Sequence, residues 1–192
     1  MLLAVLIHET GHLILGLLTG YHFVSYKFLW LKLTDTGAGM KLNICGIYPL
    51  GQCLMYPVKS KADPKMLILG GPVFNLVFGI LFIICGFTIS KTIYGIIALY
   101  LGSMDITTGI YNLFLGSAYS DGHTFKEIKN DKESAHVYNN IMMIYRYLHI
   151  GTDYKDMPDH LFLLNTESSG SLYDEMKELK KRKEDGCSGK AL

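Results

Sequence analysis

The chain has 192 residues, enough for one domain of ordinary size, and a formal net charge of +1 that leaves no electrostatic footprint for a nucleic-acid partner. Hydrophobic residues make up 49% of it, and the mean hydropathy of +0.24 is high for a soluble protein. The average hides a partition, because residues 1–19 and 66–118 are strongly apolar whereas 123–192 are polar. The cysteines Cys45, Cys53, Cys85 and Cys187 form no CxxC pair, which argues against a disulfide framework or a structural zinc knuckle.

In chain order, Met1 to Thr19 is the first candidate span. It lacks the basic start and small-residue cleavage site of a signal peptide, and it carries His8, Glu9 and His12 in its middle, so a retained helix is expected. Its shortness leaves room for a start upstream of Met1. Between Gly20 and Lys65, HFVSYKFLWLKL, a TDTGAG turn and MKLNICGIYPLGQCLMY predict two or more strands. Asp63-Pro64 suits the entrance to a helix. Met66 to Ile89 is the second span and Thr92 to Leu115 the third, joined tightly through Ser90 and Lys91. After Asp121-Gly122 the chain turns polar. Lys132 to His149 carries a helical apolar face (Val137, Ile141, Ile144, Leu148) that Gly151 would stop, and Leu172 to Lys183 predicts a more polar helix. The run from Lys177 to Asp185 mixes both signs, as a solvated helix face does.

The fold class expected is an α-helical integral membrane protein. It has a three-span core over residues 1–125 (spans about 1–19, 66–89 and 92–115), a small β element in 20–60, and a helical soluble tail over 126–192. Six Lys in 20–65 and eleven Lys and Arg from 123 onward, against Lys91 alone in the opposite loop, make the tail side cytosolic by the positive-inside rule. His12, Asn75, Asn112 and Asp121 then all fall in the cytosolic half.

The chemistry centres on HETGH. His8 and His12, four residues apart on a helix, share a face and reach one metal. Zinc accepts two His and a carboxylate and keeps a position for water, and Glu9 stands ready as general base and acid. Ionisable groups in an apolar span each cost several kcal/mol unless paired or coordinated, which favours a metal over an accident of sequence. Asp121, before the flexible Gly122, is the strongest third ligand, with His123 as its rival; a plain Asp-Gly turn is the structural alternative. Asn75, in GGPVFN, is a candidate to bind substrate backbone or an oxyanion, or else to make an interhelical hydrogen bond. Asn112 is a second substrate-binding candidate, though a structural role suits it better. His22 fits an interfacial side chain.

Together these residues resemble the site-2 protease family of intramembrane zinc metalloproteases. HETGH matches the family's HExxH helix, GIYPLGQCLM its IPLGGY-type strand segment, ILGGPVFN its AGPxxN helix and NLFLGSAYSDG its NxxP…LDG motif, in the family's order over about residues 1–125. Leu115 stands where Pro is usual, Ser120 where Leu is usual, and His123 in place of a frequent Gly. The resemblance implies Zn2+ on His8, His12 and Asp121, and hydrolysis of a peptide bond in or near the membrane-spanning segment of a membrane protein or membrane-anchored peptide. It further implies extended presentation of that substrate by the strand region and, by analogy, a bacterial plasma membrane location. Two alternatives are a catalytically silent zinc-containing membrane protein that sequesters a partner, and a metal-handling membrane protein. The intact Glu9 argues against the first, and the clustering of ligands at one site argues against the second.

Overall fold

A computed structural model of the chain describes residues 1–37, 39–58, 62–89, 92–117, 120–129, 131–164 and 169–186. Lys59, Lys61, the Ser90–Lys91 link and Cys187 lie outside the described residues. Helix α1 (Leu2–Leu18) is followed by strands β1 (Tyr21–Phe28), β2 (Leu31–Asp35), β3 (Met40–Ile44) and β4 (Gly51–Pro57). Next come α2 (Lys65–Thr88), α3 (Ile93–Ile110), a π-helical turn at Tyr111–Leu115, α4 (Asp121–Lys129), α5 (Lys132–His149), two short 3-10 turns and α6 (Ser171–Glu184). The antiparallel sheet has the order β3-β2-β1-β4, with Tyr26 of β1 opposite Leu33 on one side and Cys53 on the other.

This architecture corrects the expected fold class. Among the described residues the chain is a mixed α/β protein with a four-stranded antiparallel sheet and six α-helices, not a three-span α-helical membrane protein. Two helical stretches among the described residues, Lys65–Thr88 and Ile93–Leu115, are long and apolar enough to cross a bilayer, with mean hydropathies of 2.4 and 1.4. The physical reason lies at Gly20. Its φ of 88° turns the chain straight from α1 into β1, so α1 ends after 17 residues, roughly 25 Å at 1.5 Å per residue and short of a ~30 Å hydrocarbon core. The β element is also larger than a small insertion, because β1 gains partners on both edges.

The sheet is fastened to α1 by Tyr26, whose hydroxyl lies 3.0 Å from Thr10 Oγ1 and 3.2 Å from Leu6 O. Helices α1 and α2 cross with their backbones in contact. A Cβ on Gly11 would lie 2.2 Å from Gly70 O, and one on Gly70 would lie 2.5 Å from Gly11 O. Residues 65–88 and 93–110 pack as a helical pair whose outer side chains, such as Ile80, Ile84, Phe87, Ile93 and Ile96, are exposed.

The main apolar core lies elsewhere. Ile68 of α2 meets Ile128 of α4, the Val137, Ile141, Ile144 and Leu148 stripe of α5, and Leu172, Met176 and Leu179 of α6. Helix α5 spans the residues whose periodicity predicts it, with Gly151 after it in a left-handed conformation (φ 85°). Asp131 caps α5, accepting from the backbone N–H groups of Glu133 and Ser134 at 3.0 Å each. The hydrogen bond from the Ser134 hydroxyl, followed by these amides, holds the Asp131 carboxyl below its ordinary value.

Two outcomes follow. Gly70→Val should destabilise the protein by about 2–3 kcal/mol, since neither backbone at the crossing can retreat; a thermal midpoint equal to wild type would count against the close crossing. Because folding lowers the Asp131 pKa, the stability it contributes is complete above about pH 4 and is lost as pH falls through the lowered folded value. Asp131→Asn keeps a capping acceptor but cannot titrate. Its melting midpoint should therefore fall less steeply with acid than that of wild type.

A candidate metal centre between two helices and the sheet

His8 and His12 project from α1 toward α2, their rings edge to face at 4.7 Å between centroids. Helix α2 receives them at a residue with no side chain. A Cβ on Gly71 would fall 2.5 Å from His12 Nε2 and 2.6 Å from His8 Nε2, so a larger residue there would fill the space the imidazoles use. The third group comes from far along the chain. The π-helical turn after α3 leads to α4, whose second residue, Gly122, lies so close to the Leu113 carbonyl that a Cβ would be 2.0 Å from its oxygen. This tight seating delivers Asp121, the first residue of α4, to the imidazole pair.

His8 Nε2 lies 2.9 Å from Asp121 Oδ2, His12 Nε2 lies 3.5 Å from Asp121 Oδ1, and the two Nε2 atoms are 3.1 Å apart. A tetrahedral ion with bonds of ~2.0–2.1 Å keeps its donors roughly 3.3 Å apart, so the three side chains have the spacing of ligands around one ion. His8, His12 and Asp121 can therefore hold a metal ion. The His12 ring is held in place by a hydrogen bond from its Nδ1 to the Leu67 carbonyl at 2.8 Å, which turns Nε2 toward the carboxylate. Burial pushes the Asp121 carboxyl up, but the charge of His12 and the hydrogen bonds from both imidazoles outweigh it and hold the group well below the ordinary carboxylate range. Asp121 is thus the anion a cation site needs.

The three residues open on a cleft of about 300 Å³ whose wall also includes Glu9, Asn112, Tyr138 and the β4 residues Gly51, Gln52 and Cys53. Glu9 lies under the start of β4, where a Cβ on Gly51 would be 2.9 Å from its Oε1 and where it takes a hydrogen bond from the Cys53 backbone. The structure thus brings together His8, Glu9, His12, Asp121 and Asn112. Asn112 lines the cleft while its Nδ2 donates to Thr108 O at 3.2 Å.

Asn75 is elsewhere. It is fully buried, donating to Ala4 O at 3.2 Å and to Asp105 Oδ1 at 3.4 Å, and it does not line the cleft. His123 is 41% exposed with its Nε2 3.0 Å from Glu127 Oε1, apart from the imidazole pair. His22 packs on Tyr56 at the sheet surface. Sequence reasoning passed over Asp105, which an acidic residue inside an apolar helix should have flagged. It also passed over Tyr138, which sits one position off the apolar stripe of α5 and carries no motif. Burial pushes the Tyr138 phenol far up, and the nearby Tyr21 and Asp121 add to the push.

Comparison of the chain with protein-family models, with curated proteins and with solved structures finds no match.

The two rival third ligands are separable by substitution. Asp121→Ala should lower affinity for zinc by well over the ~10–100-fold that loss of a mere supporting residue costs, whereas His123→Ala should leave it unchanged. Competition titration against a chromogenic chelator reads both, and the reverse order would remove Asp121 from the site.

Proposed function

We propose that the protein is a zinc-dependent metalloendopeptidase acting on membrane-anchored peptides. The observation that carries the reading is the convergence of His8, His12 and Asp121 in one cleft with Glu9 beside them. The donor set, two imidazoles and one carboxylate, is the one that hydrolytic zinc sites use, with a position left open. When bound, zinc supplies Lewis acidity that makes water a competent nucleophile near neutral pH. Glu9 takes the proton of the attacking water and passes it to the leaving amine. Asp121 and the Leu67-anchored ring of His12 fix the ligand geometry throughout.

The substrate is placed by β4. Its first residues line the cleft, and it is an outer strand of the sheet, so an extended peptide can run beside Gly51–Cys53 with its scissile bond over Glu9. Helical peptides do not suit such a cleft, because their amide groups are occupied by their own hydrogen bonds. The membrane part of the reading rests on the helical pair formed by Lys65–Thr88 and Ile93–Leu115, whose exposed isoleucine and phenylalanine side chains suit hydrocarbon. Gly71, where α2 meets the imidazoles, is six residues or ~9 Å past the start of that helix. The proposed cut is therefore near one face of the bilayer.

Glu9→Gln tests the chemistry. The variant should bind zinc as wild type does and hydrolyse a membrane-anchored peptide library in proteoliposomes at least ~10²–10⁴-fold more slowly, as read by mass spectrometry of the products. Undiminished turnover would mean that Glu9 is not the proton carrier. It would turn the reading toward a metal site without hydrolysis.

A further inference from the structure

Hydrolysis of an amide needs more than a nucleophile and a proton carrier. The carbonyl oxygen gains charge as it is attacked, and a preorganised donor aimed at it is worth a large share of the rate. The cleft wall offers few side chains for that task. Asn112 has its Nδ2 bonded to Thr108 O. Gln52 is exposed on a strand whose neighbours Gly51 and Cys53 are turned inward. Asn75 is bonded to Ala4 and Asp105 outside the wall.

Tyr138 remains. It is half-buried, it lines the cleft with Glu9 and Asp121, and its hydroxyl makes no hydrogen bond among the described residues. Its backbone is fixed by the next residue. Asn139 accepts from the Tyr21 hydroxyl and donates to the Ala62 carbonyl, both at 2.7 Å, which pins α5 against β1 and the approach to α2. The ring itself packs against both apolar clusters. A phenol on rigid elements that lines the cleft with the candidate metal ligands, its hydroxyl unpartnered among the described residues, is what an oxyanion donor requires.

On the protease reading above, we propose that Tyr138, from the C-terminal helices, is a catalytic residue whose phenol donates a hydrogen bond to the carbonyl oxygen of the scissile amide as that oxygen becomes negative. As water attacks, a C–O bond forms, the carbonyl π pair moves onto the oxygen facing Tyr138, and Glu9 takes the water proton. The C–N bond then breaks, its pair stays on nitrogen, nitrogen takes the proton from Glu9, and the carbonyl re-forms. Tyr138 contributes a hydrogen bond and keeps its proton throughout.

The test uses a phosphinic peptide, whose tetrahedral phosphinate carries a negative oxygen where the oxyanion would form. In the zinc-loaded full chain, Tyr138→Phe should weaken binding of this probe ~10²-fold or more by calorimetry, with zinc content and melting midpoint unchanged. As a check that does not depend on how the Phe variant folds, 3-fluorotyrosine at position 138 should shift its 19F resonance when the phosphinic peptide is added, and not when zinc alone is added. A Phe variant that binds the probe as tightly as a tight-binding wild type, or a fluorine signal indifferent to it, overturns this inference alone. A wild type that holds zinc but binds no phosphinic peptide overturns the protease reading as well.

Discussion

Three side chains that each favour water meet in apolar packing, and what permits it is a helix crossing with nothing between the backbones. Gly11 and Gly70 bring α1 against α2 at a separation no side chain would tolerate. That contact puts the next residues of each helix into register, His12 against the Leu67 carbonyl and both imidazoles against the bare face of Gly71. Moving the helices apart by the width of a methyl group would break the His12–Leu67 hydrogen bond and free the ring to turn. The ligand geometry is therefore set by the crossing rather than by the histidines themselves, whose spacing only guarantees a shared face.

The carboxylate is controlled from the other end of the chain. Asp121 begins α4, a helix of nine residues that would not be stable alone. Two contacts hold it. Ile128 is buried in the core with α5 and α6, and Glu127 accepts from the backbone N–H groups of Ser171 at 2.7 Å and Leu172 at 3.2 Å, closing the first turn of α6. Burial acts to raise the Glu127 carboxyl, but these amides prevail and hold it below its ordinary value, so the cap is charged whenever the protein is folded near neutral pH. The C-terminal helices thus reach the centre twice: through α4, which bears Asp121, and through α5, which bears Tyr138.

The parts legible in the sequence are those whose signal is local. HETGH announces a shared helix face, the stripe from Val137 to Leu148 announces α5, and the change in composition near Asp121 marks where the polar helices begin. The misread parts are those set by contacts distant in sequence. Apolar content alone made α1 look like a span, but the turn at Gly20 and the Tyr26–Thr10 contact make it a helix covered by a sheet. Asn75 was not misread but left open between a substrate contact and an interhelical hydrogen bond, because one face of α2 points to the imidazoles and another to Asp105, and only the pairing with α1 and α3 decides which residue lies on which. Tyr138 had no signal, because its place in the cleft wall depends on where α5 docks and not on its neighbours in the chain.

The location of the centre along α2 bears on which bonds it can reach. Leu67, Ile68 and Gly71 touch the imidazoles or line the cleft, and all belong to the first two turns of a helix that continues for 24 residues, roughly 36 Å. Asn112 and Asp121 return the chain to that same end after α3. With the helical pair in a bilayer as proposed, the far ends of α2 and α3 lie away from the chemistry. A substrate would meet the centre where its own span leaves the hydrocarbon. There the bilayer no longer enforces helical hydrogen bonding, and water can satisfy amides that unwind. The outer strand β4, whose Gly51 lies against Glu9, would offer those freed amides new partners on that reading. On the proposed protease reading, the arrangement would couple the two requirements of the reaction: the peptide must be extended to be cut, and the cleft would sit where extension costs least.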